Sequence, residues 1–258
     1  MAAVLAALAA CFIYTFLTLP DVRTLRSANP ATTAFMRLRA EEAAESGRVE
    51  RPVYRWVPYG RMAASLKRAV VVAEDGGFWD HKGIDVAELR LAIETYWNRG
   101  GVLRGSSTIT QQLAKNLYLS PTRNPWRKVT ELMISRRLEA ELSKTRILEL
   151  YLNLIEWGDG VWGAEAAART YFNRPAADLT MEQSALLAGA IINARVYSPA
   201  HPRARLLRRQ RIILARMGGS TPSSAPPVSA AEDLKIDVPT PEAPEEPVPA
   251  PPPAQPSP

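Results

Sequence analysis

Three regimes of hydrophobic patterning succeed one another along the chain. Ala2 to Leu19 is almost wholly apolar, with no charged side chain in the first 20 residues. A long middle region carries apolar positions at helical spacing, and Ser220 to Pro258 has no period at all. Within the middle region, Met62 to Asp75 sets Leu66, Ala69, Val70 and Ala73 on one stripe, with Gly76 and Gly77 as a stop. Asn124 and Pro125 suit the N-cap and first turn of a helix through Arg127 to Leu142. Ser143 can cap Lys144 to Leu154, and Thr180 with Gln183 forms a capping box ahead of Ala185 to Ile192. Pro202 to Met217 reads as a last, very basic helix. There is no βαβ alternation and no internal repeat, and strands are short, as at Val53 to Val57. The pattern therefore predicts a mainly α fold.

The two ends behave differently. Ala2 to Leu19 would be about 27 Å long as a helix, against a bilayer core of about 30 Å. Its length favours an uncleaved transmembrane anchor over a signal peptide, or over a lipoprotein signal ending at Cys11. No Lys or Arg precedes the run, which points to a start codon upstream. Ser220 to Pro258 holds 13 of the 22 prolines and six acids against one base, Lys235. Such a segment cannot bury enough apolar surface to offset chain entropy and is expected to be disordered. Its charge of −5, taken from the total of +6, leaves +11 on residues 1–219. That excess suits an anionic partner, and next to an anchor a lipid or lipid pyrophosphate fits better than nucleic acid.

Chemistry narrows by elimination. Two histidines, His81 and His201, and the single Cys11 cannot build a Cys/His zinc site, a Cys-His nucleophile or an intrachain disulfide. Phosphate-loop and dinucleotide-binding glycine patterns are missing. Carboxylates, cations and amides remain, a set suited to glycosyl transfer. Glu74 ends an apolar helix, where the macrodipole disfavours its charge and makes it a better proton acceptor. Taken alone, it would read as a solvated helix-end residue. Glu131 follows Arg127 and Lys128 in a helical first turn, where cations oppose the dipole and base-before-acid pairing gains only a few tenths of a kcal/mol. Residues that gain so little locally are better explained by a ligand.

The runs EDGGFWDHKGID (Glu74 to Asp85), RGSSTITQQLAKN (Arg104 to Asn116), RKVTE (Arg127 to Glu131) and KTRILELYLN (Lys144 to Asn153) resemble the motifs of peptidoglycan glycosyltransferases. That family includes monofunctional biosynthetic transglycosylases and the glycosyltransferase domain of class A penicillin-binding proteins. Gly158, Gly160, Gly163, Ala164, Tyr171 and Phe172 extend the similarity, which runs from about Trp56 to Pro199. Ser106 replaces a family glycine, and Ala194 stands where an Asn-Pro turn is common.

The resemblance implies a lysozyme-like head with a small membrane-proximal lobe, plus an N-terminal transmembrane helix. The corresponding divisions are 1–20 transmembrane anchor, 21–50 linker or N-terminal region, 51–219 catalytic domain and 220–258 disordered Pro-rich acidic tail. Glu74 and Glu131 are the implied catalytic carboxylates. Ser107, Thr108, Gln111, Gln112, Lys115, Arg123, Arg127 and Lys128 are the implied substrate contacts, with Lys115 and Arg123 near the donor pyrophosphate. His81 and Asn153 read as structural. The resemblance implies no firm cofactor requirement and leaves room for Mg2+ or Mn2+, with Glu131 holding either the metal or the cations. The implied partners are lipid II, the growing lipid-linked strand, the membrane, and cell-division or elongation proteins. Arg23 and Arg26 would by charge bias place their side in the cytoplasm. The resemblance implies instead an external domain on a single-pass inner-membrane anchor. A lysozyme-like glycan hydrolase and a non-catalytic wall-binding scaffold are the alternatives.

Overall fold

A computed structural model describes residues 1–47, 52–99, 107–120 and 125–218. Ten α-helices are present among them: α1 (Ala2–Leu17), α2 (Ala34–Glu45), α3 (Ala64–Glu74), α4 (Val86–Arg99) and α5 (Ile109–Tyr118), then α6 (Pro125–Glu141), α7 (Lys144–Leu154), α8 (Ala164–Phe172), α9 (Met181–Ala190) and α10 (Ala204–Gly218). The fold is mainly helical, as the apolar period requires. A small sheet of order β1-β3-β2 joins β1 (Val53–Tyr54), β2 (Glu156–Gly158) and β3 (Val161–Trp162). β1 pairs parallel to β3, with Val53 opposite Val161, and β2 pairs antiparallel to β3 with Glu156 opposite Trp162.

Local chemistry sets several boundaries. Ser143 Oγ accepts from Arg146 N at 3.2 Å and starts α7. Thr180 and Gln183 form the reciprocal box that starts α9. The same device, not foreseen at this position, starts α5 through Thr108 and Gln111. Asp85 Oδ1 accepts from Glu88 N at 2.9 Å and opens α4. Gly163, at φ +83°, must be glycine, because an added Cβ would lie 2.7 Å from the Asn153 carbonyl oxygen.

One core joins α3, α5, α7 and α8 with parts of α9 and α10, and includes Leu66, Leu113, Leu148 and Trp157. Asn153 lies within it, fully buried. Its Oδ1 accepts from Val57 N at 2.9 Å, and its Nδ2 donates to Val57 O at 2.9 Å and Glu149 O at 2.8 Å. The side chain thus satisfies an isolated stretch of backbone ahead of α3.

The described part of residues 21–50, expected as a linker or N-terminal region, packs against the rest of the domain. Val22 and Leu25 are buried in the main core, and α2 lies against α5. The N-terminal segment also follows α6. Trp126 Nε1 donates to Thr15 Oγ1 at 2.8 Å, and Arg137 Nη1 to the carbonyls of Leu19 and Pro20 at 3.2 and 3.3 Å. Arg26 pairs with Glu141 at the far end of the helix. α1 has 16 residues, and no helix among the described residues is long and apolar enough to cross a membrane. The expected tail, residues 220–258, and Asn124 lie outside the described residues.

Asn153→Leu leaves the Val57 N–H and C=O unpaired in a dry interior. It should destabilise the domain by about 1–3 kcal/mol for each orphaned group. Chemical denaturation checks this, and an unchanged midpoint would remove Asn153 from the supports of the fold.

Candidate active site

The end of α3, the body of α5 and the middle of α7 converge on one carboxylate. Gln112 Nε2, on α5, donates to Glu74 Oε2 at 2.9 Å. Gln112 Oε1 accepts from Tyr151 Oη, on α7, at 2.8 Å. Tyr151 is fully buried, and burial raises its pKa well above 10, with smaller pushes from Glu74 and Asp75. The phenol therefore stays protonated and must donate, which orients the Gln112 amide and turns its N–H toward Glu74. Burial raises the pKa of Glu74; the Gln112 hydrogen bond and the charges of Arg209 and Lys115 pull it down, and Asp75 adds a small push upward. The leading cause is desolvation, rather than the helix dipole expected from sequence.

Asp75 braces this helix end. Its Oδ1 accepts from His81 Nε2 at 2.8 Å and its Oδ2 from Ile109 N at 2.9 Å. Gly83 N donates to His81 Nδ1 at 3.1 Å, so the proton of the neutral ring resides on Nε2. Asp75, His81 and Asp85 bring ligand atoms within 4.8 Å of one another. Both Asp75 oxygens, both His81 nitrogens and Asp85 Oδ1 already serve hydrogen bonds, so these residues fit a brace better than a cation site.

A cationic cluster lies alongside. Glu131, on the second turn of α6, is 3% exposed and pairs with Lys128 through Oε1 and with Arg127 through Oε2 at 3.7 Å. Arg127 Nε and Nη1 are buried with no hydrogen-bond partner. Burial lowers the pKa of Lys115; Glu131 raises it, Arg127 and Lys128 lower it, and Glu74 raises it slightly. Lys115 thus senses both glutamates. With its carboxylate already held by cations, Glu131 fits their positioning better than a Mg2+ or Mn2+ site, which calls for several oxygen ligands.

The other expected contacts divide. Lys128 Nζ lies 3.5 Å from Ser107 Oγ and 3.4 Å from Gln111 Oε1, which brings Ser107 to the cluster. Thr108 is 1% exposed, and its hydroxyl donates to Gly83 O at 2.8 Å while accepting from Gln111 N at 3.2 Å. Gln111 Oε1 accepts from Thr108 N at 3.3 Å. Thr108 and Gln111 therefore shape the start of α5 from within, and Gln111 also faces Lys128. Arg123, Gly105 and Ser106 lie outside the described residues. Sequence reasoning missed the roles of Tyr151, which reads as core, and Arg209. Arg209 is 1% exposed, donates to Gly189 O at 3.1 Å, and acts electrostatically on Glu74. Only the glutamine-rich turn of α5 hinted that amides, rather than cations alone, would hold the carboxylate.

A mainly helical domain thus sets a buried carboxylate of raised pKa beside a cluster of cations. A family model described as Transglycosylase matches residues 41–218. A "Biosynthetic peptidoglycan transglycosylase" of Laribacter hongkongensis is 49% identical over 189 residues, 73% of this chain and 83% of that protein. One of Methylobacillus flagellatus, with the same description, is 47% identical over 73% of this chain and 82% of its own length. Another, of Nitrosospira multiformis, is 41% identical over 83% of this chain and 93% of its own. The chain belongs to the transglycosylase family.

If Glu74 acts as a base, activity falls as pH drops through its raised pKa. Gln112→Leu removes the hydrogen bond that lowers that pKa. The acid limb of kcat/KM should therefore shift to higher pH; a limb that stays put or moves lower would contradict this arrangement.

Proposed function

We propose that this protein polymerises lipid II into peptidoglycan glycan strands by inverting glycosyl transfer. The observation that carries the reading is Arg127, beside Lys115 and Lys128 and close to the same helix that holds Glu74: its buried Nε and Nη1 make no hydrogen bond, and Nη1 faces Glu131 Oε2 at 3.7 Å. Buried donors that lack a hydrogen bond are costly and call for an acceptor. A pyrophosphate leaving group supplies several. A hydrolase acting on neutral glycan would have no such need.

In this mechanism the acceptor is lipid II and the donor is the growing strand, still joined to its lipid by a pyrophosphate. Glu74 removes the proton from the acceptor 4-hydroxyl as that oxygen attacks the donor anomeric carbon. The bond from that carbon to the pyrophosphate breaks, and the leaving oxygen takes the electron pair. A β(1→4) bond forms as the α-linked group departs. Lys115, Arg127 and Lys128 neutralise the developing charge in a partly dry site. Glu131 keeps those cations in place, and Arg123 is assigned to the same leaving group. Burial keeps Glu74 basic enough to accept a proton, and Gln112 points its carboxylate.

The surface suits work at a bilayer. Val86, Leu89, Ile93 and Trp97 are exposed on α4, spaced to share one face, and Trp79 is exposed in the turn before it. We assign these residues to the membrane-proximal lobe of a lysozyme-like head, with the apolar N-terminal segment as its inner-membrane anchor and the catalytic domain outside. Elongation or division proteins would meet the enzyme there. Arg205, Arg208 and Arg211 are exposed on α10 and suit an anionic surface, whereas Arg209 is buried and does not.

Detergent-solubilised protein given labelled lipid II should produce a polymer ladder on a gel. Glu74→Gln, with unchanged circular dichroism, should slow it by about 10²-fold or more. Lipid-free glycan strands should stay intact. Near-normal polymerisation by Glu74→Gln removes the base assignment, and cleavage of lipid-free strands by the wild type alone favours a hydrolase.

A further inference from the structure

A separate cavity, of about 220 Å³, lies where the N-terminal segment meets the far end of α6. Asp21, Val22, Arg23, Arg137 and Glu141 line it. Glu141 ends α6, roughly 21 Å along the helix from Arg127 at about 1.5 Å per residue, so this cavity is remote from the cationic cluster of the active site.

Its walls carry two cations and two carboxylates. Arg137 commits Nη1 to the Leu19 and Pro20 carbonyls at 3.2 and 3.3 Å, while its Nε and Nη2 make no hydrogen bond among the described residues. The Arg23 side chain is 70% exposed, and its Nε faces Glu141 Oε1 at 3.6 Å, too far for a hydrogen bond. Glu141 Oε2 is taken by Arg26. Asp21 Oδ1 accepts from Arg23 N at 2.9 Å, and Oδ2 has no hydrogen bond among the described residues.

Exposed arginines ordinarily need no ligand. Two features distinguish these: they converge on one concavity, and that concavity borders exposed apolar surface. The Arg137 guanidinium lies 5.8 Å from the centroid of the Phe16 ring. On α1, Phe12 and Phe16, and likewise Ile13 and Leu17, are exposed at i,i+4 spacing. A ligand reaching from the cavity along α1 would meet charge at one end and hydrocarbon at the other.

Charge balance narrows the polar end. An anion alone would suit the guanidinium groups but would face Asp21 and Glu141 at close range. A phosphate joined to an ammonium suits both pairs, with the phosphate accepting charge-assisted hydrogen bonds from arginine. A primary ammonium also donates to carboxylates, which a quaternary one cannot do.

We propose that this cavity binds the phosphoethanolamine headgroup of a phospholipid. The phosphate sits on Arg23 and Arg137, the ammonium on Asp21 and Glu141, and the acyl chains run along Phe12 and Phe16. The inference rests on reading the N-terminal segment as a membrane anchor and is independent of the chemistry at Glu74. A lipid seated there bridges α1 and α6 at the bilayer surface.

The test mixes full-length protein in detergent with dioleoyl phosphatidylethanolamine, phosphatidylglycerol or phosphatidylcholine, or with inorganic phosphate, and reads retained adducts by native mass spectrometry. The wild type should hold phosphatidylethanolamine about fivefold more tightly than the other two lipids, and inorganic phosphate should not displace it. Arg23→Ala should weaken that binding about fivefold at an unchanged melting midpoint, and should leave polymer formation from lipid II in detergent intact. Asp21→Asn should erase the preference for ethanolamine over glycerol. Equal retention of the three lipids, tighter retention of phosphatidylglycerol, displacement by inorganic phosphate, full affinity in Arg23→Ala or a preference kept in Asp21→Asn each overturns the proposal. Flotation with phosphatidylcholine vesicles checks the anchor separately: protein left in the aqueous layer removes the membrane reading and the proposal with it. Headgroup selectivity in a protein inert toward lipid II supports the site and removes only the polymerase reading.

Discussion

The hydrogen bond from Gln112 to Glu74 is the constraint on which the site depends, because it joins three helices at one carboxylate. Glu74 comes from α3, Gln112 from α5 and Tyr151 from α7, and the buried phenol leaves the amide one satisfactory orientation. Two opposing effects meet there. Desolvation makes the carboxylate more basic, and the amide and nearby cations oppose that shift. Asp75, directly after Glu74, ties the same helix end to the first residue of α5 and to His81. That carboxylate is thus positioned by packing elements rather than by a loop, which suits the proposed base, a group that must meet one hydroxyl in one geometry.

The cationic side is built differently. Arg127, Lys128 and Glu131 occupy the first two turns of α6, and α6 is secured along its length by the chain's own N-terminal segment. Cations at a helix start gain nothing from the dipole, so Glu131 is what keeps them together before substrate arrives. The buried Arg127 Nε and Nη1 make no hydrogen bond even so, Nη1 facing Glu131 only at 3.7 Å. An anion entering the cleft would relieve that cost as it binds, coupling donor recognition to stabilisation of the leaving group.

Much of the scaffold was legible in the sequence because its signals are local. Ser143 before α7, and Thr180 with Gln183 before α9, are caps whose side chains reach only two or three residues. The apolar stripe of α3 is likewise written in its spacing. α2 and α4 were missed for opposite reasons. α2 has little amphipathic contrast, and α4 turns apolar residues outward, so neither advertises a buried face. Site residues were legible as motif members, but motif membership does not separate grip from support. Thr108 and Gln111 proved to be a capping pair, and Tyr151 and Arg209, which read as core and as basic surface, act on Glu74. The roles of Tyr151 and Arg209 depend on contacts between residues far apart in sequence, such as 112 with 151, and no local pattern encodes them.

The proposed role of Glu74 is that of a desolvated base held by Gln112. Its most direct measurement is a pH titration of the Glu74 carboxyl by ¹³C NMR in protein labelled at glutamate, with the resonance assigned by its loss in Glu74→Gln. The midpoint should lie above the 4.5 of a free glutamate side chain. A midpoint at or below that value would mean the carboxylate is stabilised as a charge, and the base would have to be sought elsewhere.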